Sequence, residues 1–201
     1  MQDHATTTSA APHRRPQAWV LRGFLIFLVL VLVSVAGLAG VAFLGPKTMG
    51  LRDATITGPT VAVGVAFPQV TGQDFTHADQ RIDAASHPAV ILVVAHWCHF
   101  CQGETQLLAG ATKEQLPSQR LYLIPTWFMW PLAWPPQDRL HAASFPGTVI
   151  VDPGSTVANK LGLGGVPEWF FTNASGVVVA RHQGSLSLDE LRTLADQAKQ
   201  K

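Results

Sequence analysis

From Gly23 to Gly45 the chain reads GFLIFLVLVLVSVAGLAGVAFLG, an apolar run without one ionisable side chain. At 1.5 Å per helical residue such a run covers roughly 30 Å of hydrocarbon, so it predicts a transmembrane helix, with the anchor segment spanning 19–45. A cleaved secretory signal has an apolar region of only about 7–15 residues followed by a small-x-small site. Phe43, Leu44 and Pro46 make a poor cleavage neighbourhood, although Gly40-Val41-Ala42 approaches one, and a retained anchor is expected. Arg14, Arg15 and Arg22 precede the run, whereas Lys47 and Arg52 follow it. The positive-inside rule then keeps the short tail in the cytoplasm and puts everything after about residue 46 outside. Arg14-Arg15 is not followed by apolar residues but by Pro16 and Gln17, which argues against a twin-arginine export signal. The tail 1–18 is polar and expected to be disordered, and 46–60 reads as a tether.

Beyond the tether the periodicity changes. Pro88 to Ala95 (PAVILVVA) is continuously apolar and β-branched, as in a strand buried on both faces of a sheet. A helical pattern follows from Cys98 to Leu116, with Leu107, Leu108 and Ala111 on one face and Pro117 as its stop. Strands are expected at 120–125 and 148–151, with a short helix over 156–161. Glu168–Thr172 and Val177–Arg181 flank the turn NASG, a hairpin signal. Ser187 opens a capping box with Glu190, and Leu188, Leu191, Leu194, Ala195 and Ala198 form one stripe on the last helix. Alternating strands and helices predict an α/β domain over 61–201 with a mixed central sheet flanked by helices.

Composition narrows the chemistry. Over 201 residues the charged fraction is 13% and the formal net charge is +1, so no basic face suggests a nucleic-acid partner. Both cysteines of the chain lie in Trp97-Cys98-His99-Phe100-Cys101. An exported domain tolerates disulfides, yet a bridge between Cys98 and Cys101 closes almost no loop and would constrain the unfolded chain very little. Cys98 instead sits where a buried strand feeds a helix, and the free N–H groups and macrodipole of that first turn favour a thiolate. A protonated His99 would add to the effect. Cys101 lies one turn deeper, placed to attack a mixed disulfide formed by Cys98.

The segment VILVVAHWCHFC resembles the active-site strand and helix start of the thioredoxin fold. SFPGTVIVDPGSTVANKLGLGGVPEWFFTNASGVVVARHQGSLSLDEL is similar to the second half of membrane-anchored thiol–disulfide oxidoreductases of the TlpA/ResA type. The resemblance covers roughly residues 88–198 and is weakest between 126 and 143. It implies a thioredoxin-like fold, a cis peptide bond at Pro167, and a Val166 backbone lining the groove in which a substrate adds as an extra strand. Trp97, His99 and Phe100 complete that groove. It also implies a role for Glu104, three residues after the second cysteine, in deprotonating the resolving thiol; the residues alone allow Glu104 to be a first-turn carboxylate favoured by the helix dipole. Leu92 stands where cytoplasmic thioredoxins carry a buried acid. The resemblance further implies reduction of partner proteins, fed by a membrane electron donor, with no cofactor beyond the redox-active Cys98–Cys101 disulfide. The His99 effect pulls the other way, towards a more oxidising couple.

Three features depart from that family: the His-Phe dipeptide between the cysteines, Gly103 in the first helical turn, and the segment TWFMWPLAWPP from Thr126 to Pro136. Trp127, Trp130 and Trp134 either cover the core or grip a partner or lipid, because their loop leaves the same sheet edge as Cys98. His77, His87, His96, His141 and His182 read as scattered surface residues. The competing function is delivery of Cu(I) by the cysteine pair and a histidine such as His96 or His99. Adjacent residues on one turn cannot all aim at one ion, which weighs against it.

Overall fold

A computed structural model of the chain describes residues 17–44, 49–84 and 87–201, with side chains of the first helix described over 21–37. The expected disordered tail, up to residue 16, and the start of the tether at 46–48 lie outside the described residues. The chain divides into two units, Met1–Leu44 and Gly45–Lys201.

The first unit contains α1, Gln17–Leu44, a 28-residue helix in place of the expected 19–45. Its large apolar side chains between Leu21 and Val35 are 43–64% exposed, on every side of the helix. Among the described residues no helix is long and apolar enough to cross a membrane.

The second unit is built on a five-stranded mixed sheet in the order β6-β5-β4-β7-β8. At its centre β4, Ala89–Ala95, is buried at all seven positions. It runs parallel to β5, Arg120–Thr126, and antiparallel to β7, Glu168–Thr172. The edges are β6, Thr148–Val149, parallel to β5, and β8, Val178–Gln183, antiparallel to β7. The period of two sends Val90, Leu92 and Val94 to one core, with Leu108 of α2 (His99–Gly110) and Leu191, Ala195 and Ala198 of α5 (Leu188–Lys199). Ile91 and Val93 face the opposite core, with Val157 and Leu161 of α4, Thr156–Leu161. This is the α/β arrangement expected from the sequence. The capping box forms as read: Ser187 Oγ accepts from Glu190 N, and Glu190 Oε2 accepts from Ser187 N at 2.8 Å. Asn173 Oδ1 holds the hairpin turn by accepting from the N–H groups of Ser175 and Val177, both at 3.0 Å.

Three expectations need correction. Residues 51–57 are not tether. Leu51 and Ala54 are buried at 6% and 2% exposure, and Thr55–Thr57 is β1 of an antiparallel three-stranded sheet with β2, Gln69–Gln73, and β3, Asp79–Ile82. Helix α2 does not reach Leu116: it ends at Gly110, where Ala111 turns to extended backbone. Its buried stripe is Cys101, Glu104, Thr105 and Leu108, whereas Leu107 is 40% exposed. The helix packs through partly polar positions, so apolar spacing misplaced its inner face.

Candidate active site

Buried β4 ends at Ala95, and two residues later the chain turns into α2. Cys98 is the N-cap of α2 with extended backbone, and its Sγ accepts from the N–H of Cys101 at 3.5 Å. Capping by a sulfur brings an orphan helix N–H onto the reactive atom. Both cysteines are free thiols, Cys98 partly exposed and Cys101 fully buried. Burial pushes the Cys101 thiol far above its ordinary range, with the neighbouring Cys98 and the Glu104 carboxylate adding to it.

Across from the pair, Val166 precedes Pro167 in a cis peptide bond, as the resemblance implied. Cys98 Sγ–H donates to Val166 O at 3.6 Å, so the loop before β7 faces the thiol directly. Glu104 sits one turn beyond Cys101 at 5% exposure and accepts from Leu186 N at 3.1 Å. Burial raises its pKa, against hydrogen bonds from Ser185 and Leu186 that lower it. Both Glu104 and Cys101 thus hold their protons more firmly than in water, on adjacent turns of one helix face. Leu92 lies in the core at 1% exposure, away from any acidic role.

The flanking residues divide. His99 and Phe100 are exposed on the first turn, ring against ring at 6.3 Å. Trp97 is half-buried, and its Nε1–H donates to Trp127 O at 2.7 Å.

His96 overturns its assignment to the surface. It is fully buried, and its Nε2–H donates to the carbonyls of Leu132, at 2.8 Å, and Met129, at 3.3 Å. Its ring stacks on Phe128 at 5.3 Å and meets Trp134 edge-on at 6.1 Å. Desolvation lowers its pKa, the two carbonyls opposing, and Nδ1 is left buried without a partner, so the ring is neutral. A histidine and a tryptophan immediately before the cysteines therefore clamp the 127–134 loop. Trp127 adopts a left-handed backbone with φ 50 at the start of that loop, a conformation an aromatic residue keeps only when its surroundings impose it. Trp130 and Trp134 pack against each other at 4.8 Å, so the tryptophans build the loop interior while Met129 and Leu132 face outward at 48% and 51% exposure. The carbonyls that the clamp binds lie 30 to 36 residues along the chain, and no local signal marks His96 as buried.

Among the described residues no group of three His, Cys, Asp or Glu side chains converges as a metal site.

No protein-family model and no curated protein matches the chain. Solved structures do. The thioredoxin domain of a thiol-disulfide oxidoreductase from Bacteroides vulgatus is 18% identical with a TM-score of 0.52, over 68% of this chain and 97% of that one. A putative thiol:disulfide interchange protein DsbE from Chlorobium tepidum is 18% identical with a TM-score of 0.54, over 68% and 95%. A secreted disulfide oxidoreductase from Mycobacterium tuberculosis, described as homologous to DsbE, is 20% identical with a TM-score of 0.52, over 63% and 94%. The second unit has the thioredoxin fold.

Proposed function

We propose that this thioredoxin-fold chain is a membrane-anchored, extracytoplasmic thiol–disulfide oxidoreductase that exchanges disulfides with partner proteins through Cys98 and Cys101. One observation carries the reading: a partly exposed thiol caps a helix at the end of the central strand, and a buried thiol stands one turn behind it. Cys98 attacks a partner disulfide as the thiolate, forming a mixed disulfide and releasing one partner thiolate. Cys101 then gives its proton to the Glu104 carboxylate and attacks Cys98 Sγ. The second partner sulfur leaves as thiolate, two electrons have passed to the partner, and the chain holds a Cys98–Cys101 disulfide. The same steps run backward oxidise a partner dithiol. Reduction is the direction the family resemblance implies, and a membrane electron donor would then return the chain to the dithiol.

The anchor rests on α1: a helix apolar on all sides is stable only when those sides are covered, and the hydrocarbon of a bilayer does so. The location outside the cytoplasm rests on the Arg14/Arg15/Arg22 flank and suits a fold whose relative from Mycobacterium tuberculosis is described as secreted. Trapping tests the exchange chemistry. In the full-length chain, Cys101→Ser accumulates mixed disulfides with cellular proteins on non-reducing gels, whereas Cys98→Ser traps few. Trapping by Cys98→Ser alone would exchange the two roles, and trapping by neither would end the proposal.

A further inference from the structure

The segments that carry Cys98, the Trp127 carbonyl bonded by Trp97 and the Val166 carbonyl facing the thiol, namely 88–103, 121–137 and 161–167, contain not one Asp, Glu, Lys or Arg. On this uncharged ground stand three outward apolar side chains. Phe100 is 67% exposed, and Met129 and Leu132 are about half exposed. The last two are tied to the reactive centre by the bonds from His96 to their own backbone carbonyls, two residues from Cys98. The loop is thus a fixed continuation of the thiol's surroundings. Its half-buried tryptophans stiffen it from within, as the Trp130–Trp134 and His96–Trp134 ring contacts describe.

We infer that Met129 and Leu132 are specificity-determining residues: with Phe100 they select extended polypeptide segments whose cysteine is flanked by apolar, uncharged residues. The inference rests on the oxidoreductase reading above and names the substrate class of that site. Charged flanks laid on this ground would lose water and find no Asp, Glu, Lys or Arg in these segments to pair with. The patch is also small. Three side chains fall far short of the roughly 800 Å² per partner that a stable folded interface buries, so a short segment fits it better than a second copy. A lipid surface or a second copy seated here would cover Cys98 and leave it without a disulfide to attack. Apolar flanks are buried once a protein has folded. The substrates that present them are accordingly chains exposed at that cysteine before folding is complete.

The test uses the reduced full-length chain in phospholipid nanodiscs and three disulfides: oxidised glutathione, a short peptide homodisulfide with Cys between Leu and Val residues, and one with Cys between Glu residues. In each reaction the dithiol becomes the Cys98–Cys101 disulfide and the substrate yields two thiols. With glutathione as the common reference, the wild type should prefer the apolar peptide over the acidic one by about tenfold, the size expected from burying two half-exposed apolar side chains. The double substitution Met129→Ser, Leu132→Ser should bring that ratio close to unity. Met129→Lys should raise the relative rate with the acidic peptide. An unchanged preference in both variants, or none in the wild type, would overturn the inference while leaving the oxidoreductase reading intact. Failure to react with any of the three would overturn the oxidoreductase reading itself. A wild type that sediments as a dimer of chains, made monomeric by the double substitution, would assign the patch to self-association instead.

Discussion

Glu104 separates a proton-transfer role from a structural one, because two substitutions remove different parts of it. The carboxylate accepts from Leu186 N at 3.1 Å inside the core and lies one helical turn past Cys101. Glu104→Gln keeps an oxygen for that N–H but no base; Glu104→Leu removes both. Leaving the Leu186 N–H without an acceptor costs about 1–3 kcal/mol, and for a domain of this size each kcal/mol moves Tm by roughly 2–4 °C. Glu104→Leu should therefore melt about 2–12 °C below the wild type, while Glu104→Gln should not. Burial raises the Glu104 pKa above the ordinary 4.5, so the folded chain binds this proton more tightly than the unfolded one. Wild-type stability consequently falls as pH rises from about 4.5 through the folded value, and above it the cost of the buried charge is fully present. Glu104→Gln removes that cost and should equal or exceed the wild type at pH 8, the advantage vanishing near pH 4. In exchange, the Cys101 proton loses its acceptor, and the resolving step, followed by quenched-flow from a preformed mixed disulfide at Cys98, should slow by about 10²-fold, the low end for acid–base catalysis. Resolution at the wild-type rate in Glu104→Gln, with the expected melting behaviour in both variants, would reduce Glu104 to an acceptor for Leu186.

Other outcomes follow from the same geometry. His96 is held neutral by burial, so its contribution to stability is present above the unfolded value of about 6.5 and is lost as pH falls through it towards the lower folded value; His96→Gln should flatten the stability profile below about pH 6.5 in denaturant titrations, and an unchanged slope would refute the clamp's titration. Trp97→Phe removes the donor to Trp127 O and should cost about 1 kcal/mol while raising proteolysis within 127–134; a melting curve and cleavage pattern like the wild type's would show the bond contributes nothing. Protease added to spheroplasts should digest the second unit, and protection until the membrane is broken would reverse the proposed topology.

Legibility in the sequence tracked how local the physical cause was. Strand β4 was readable because all seven of its residues are apolar and buried, and α5 because its capping box and stripe use short-range rules. The cysteine pair was readable for the same reason: one cap and one helical turn define it. Helix α2 was overextended because its inner face carries Glu104 and Thr105, whose burial depends on Leu186 and on the helix's own carbonyls. Strands β2 and β3 carry no apolar run, since QVTGQ and DQRI bury fully only Val70 and Ile82. Within β2, Gly72 is needed where a Cβ would come within 2.8 Å of Ile150 Cγ2, a packing constraint no pattern reveals. His96 and the clamped loop were unreadable because the carbonyls that bind the ring lie 33 and 36 residues away.

The central claim is that Cys98 and Cys101 form a reversible two-electron couple. Equilibrating the full-length chain in nanodiscs with graded mixtures of reduced and oxidised glutathione, then scoring free thiols by alkylation and mass, measures it directly. The account predicts one two-electron transition that exists only with both cysteines present, with a midpoint between about −270 and −120 mV, the span of exchange-active dithiols. Thiols that never pair, or a disulfide that stays intact below about −300 mV as structural bridges do, would contradict it.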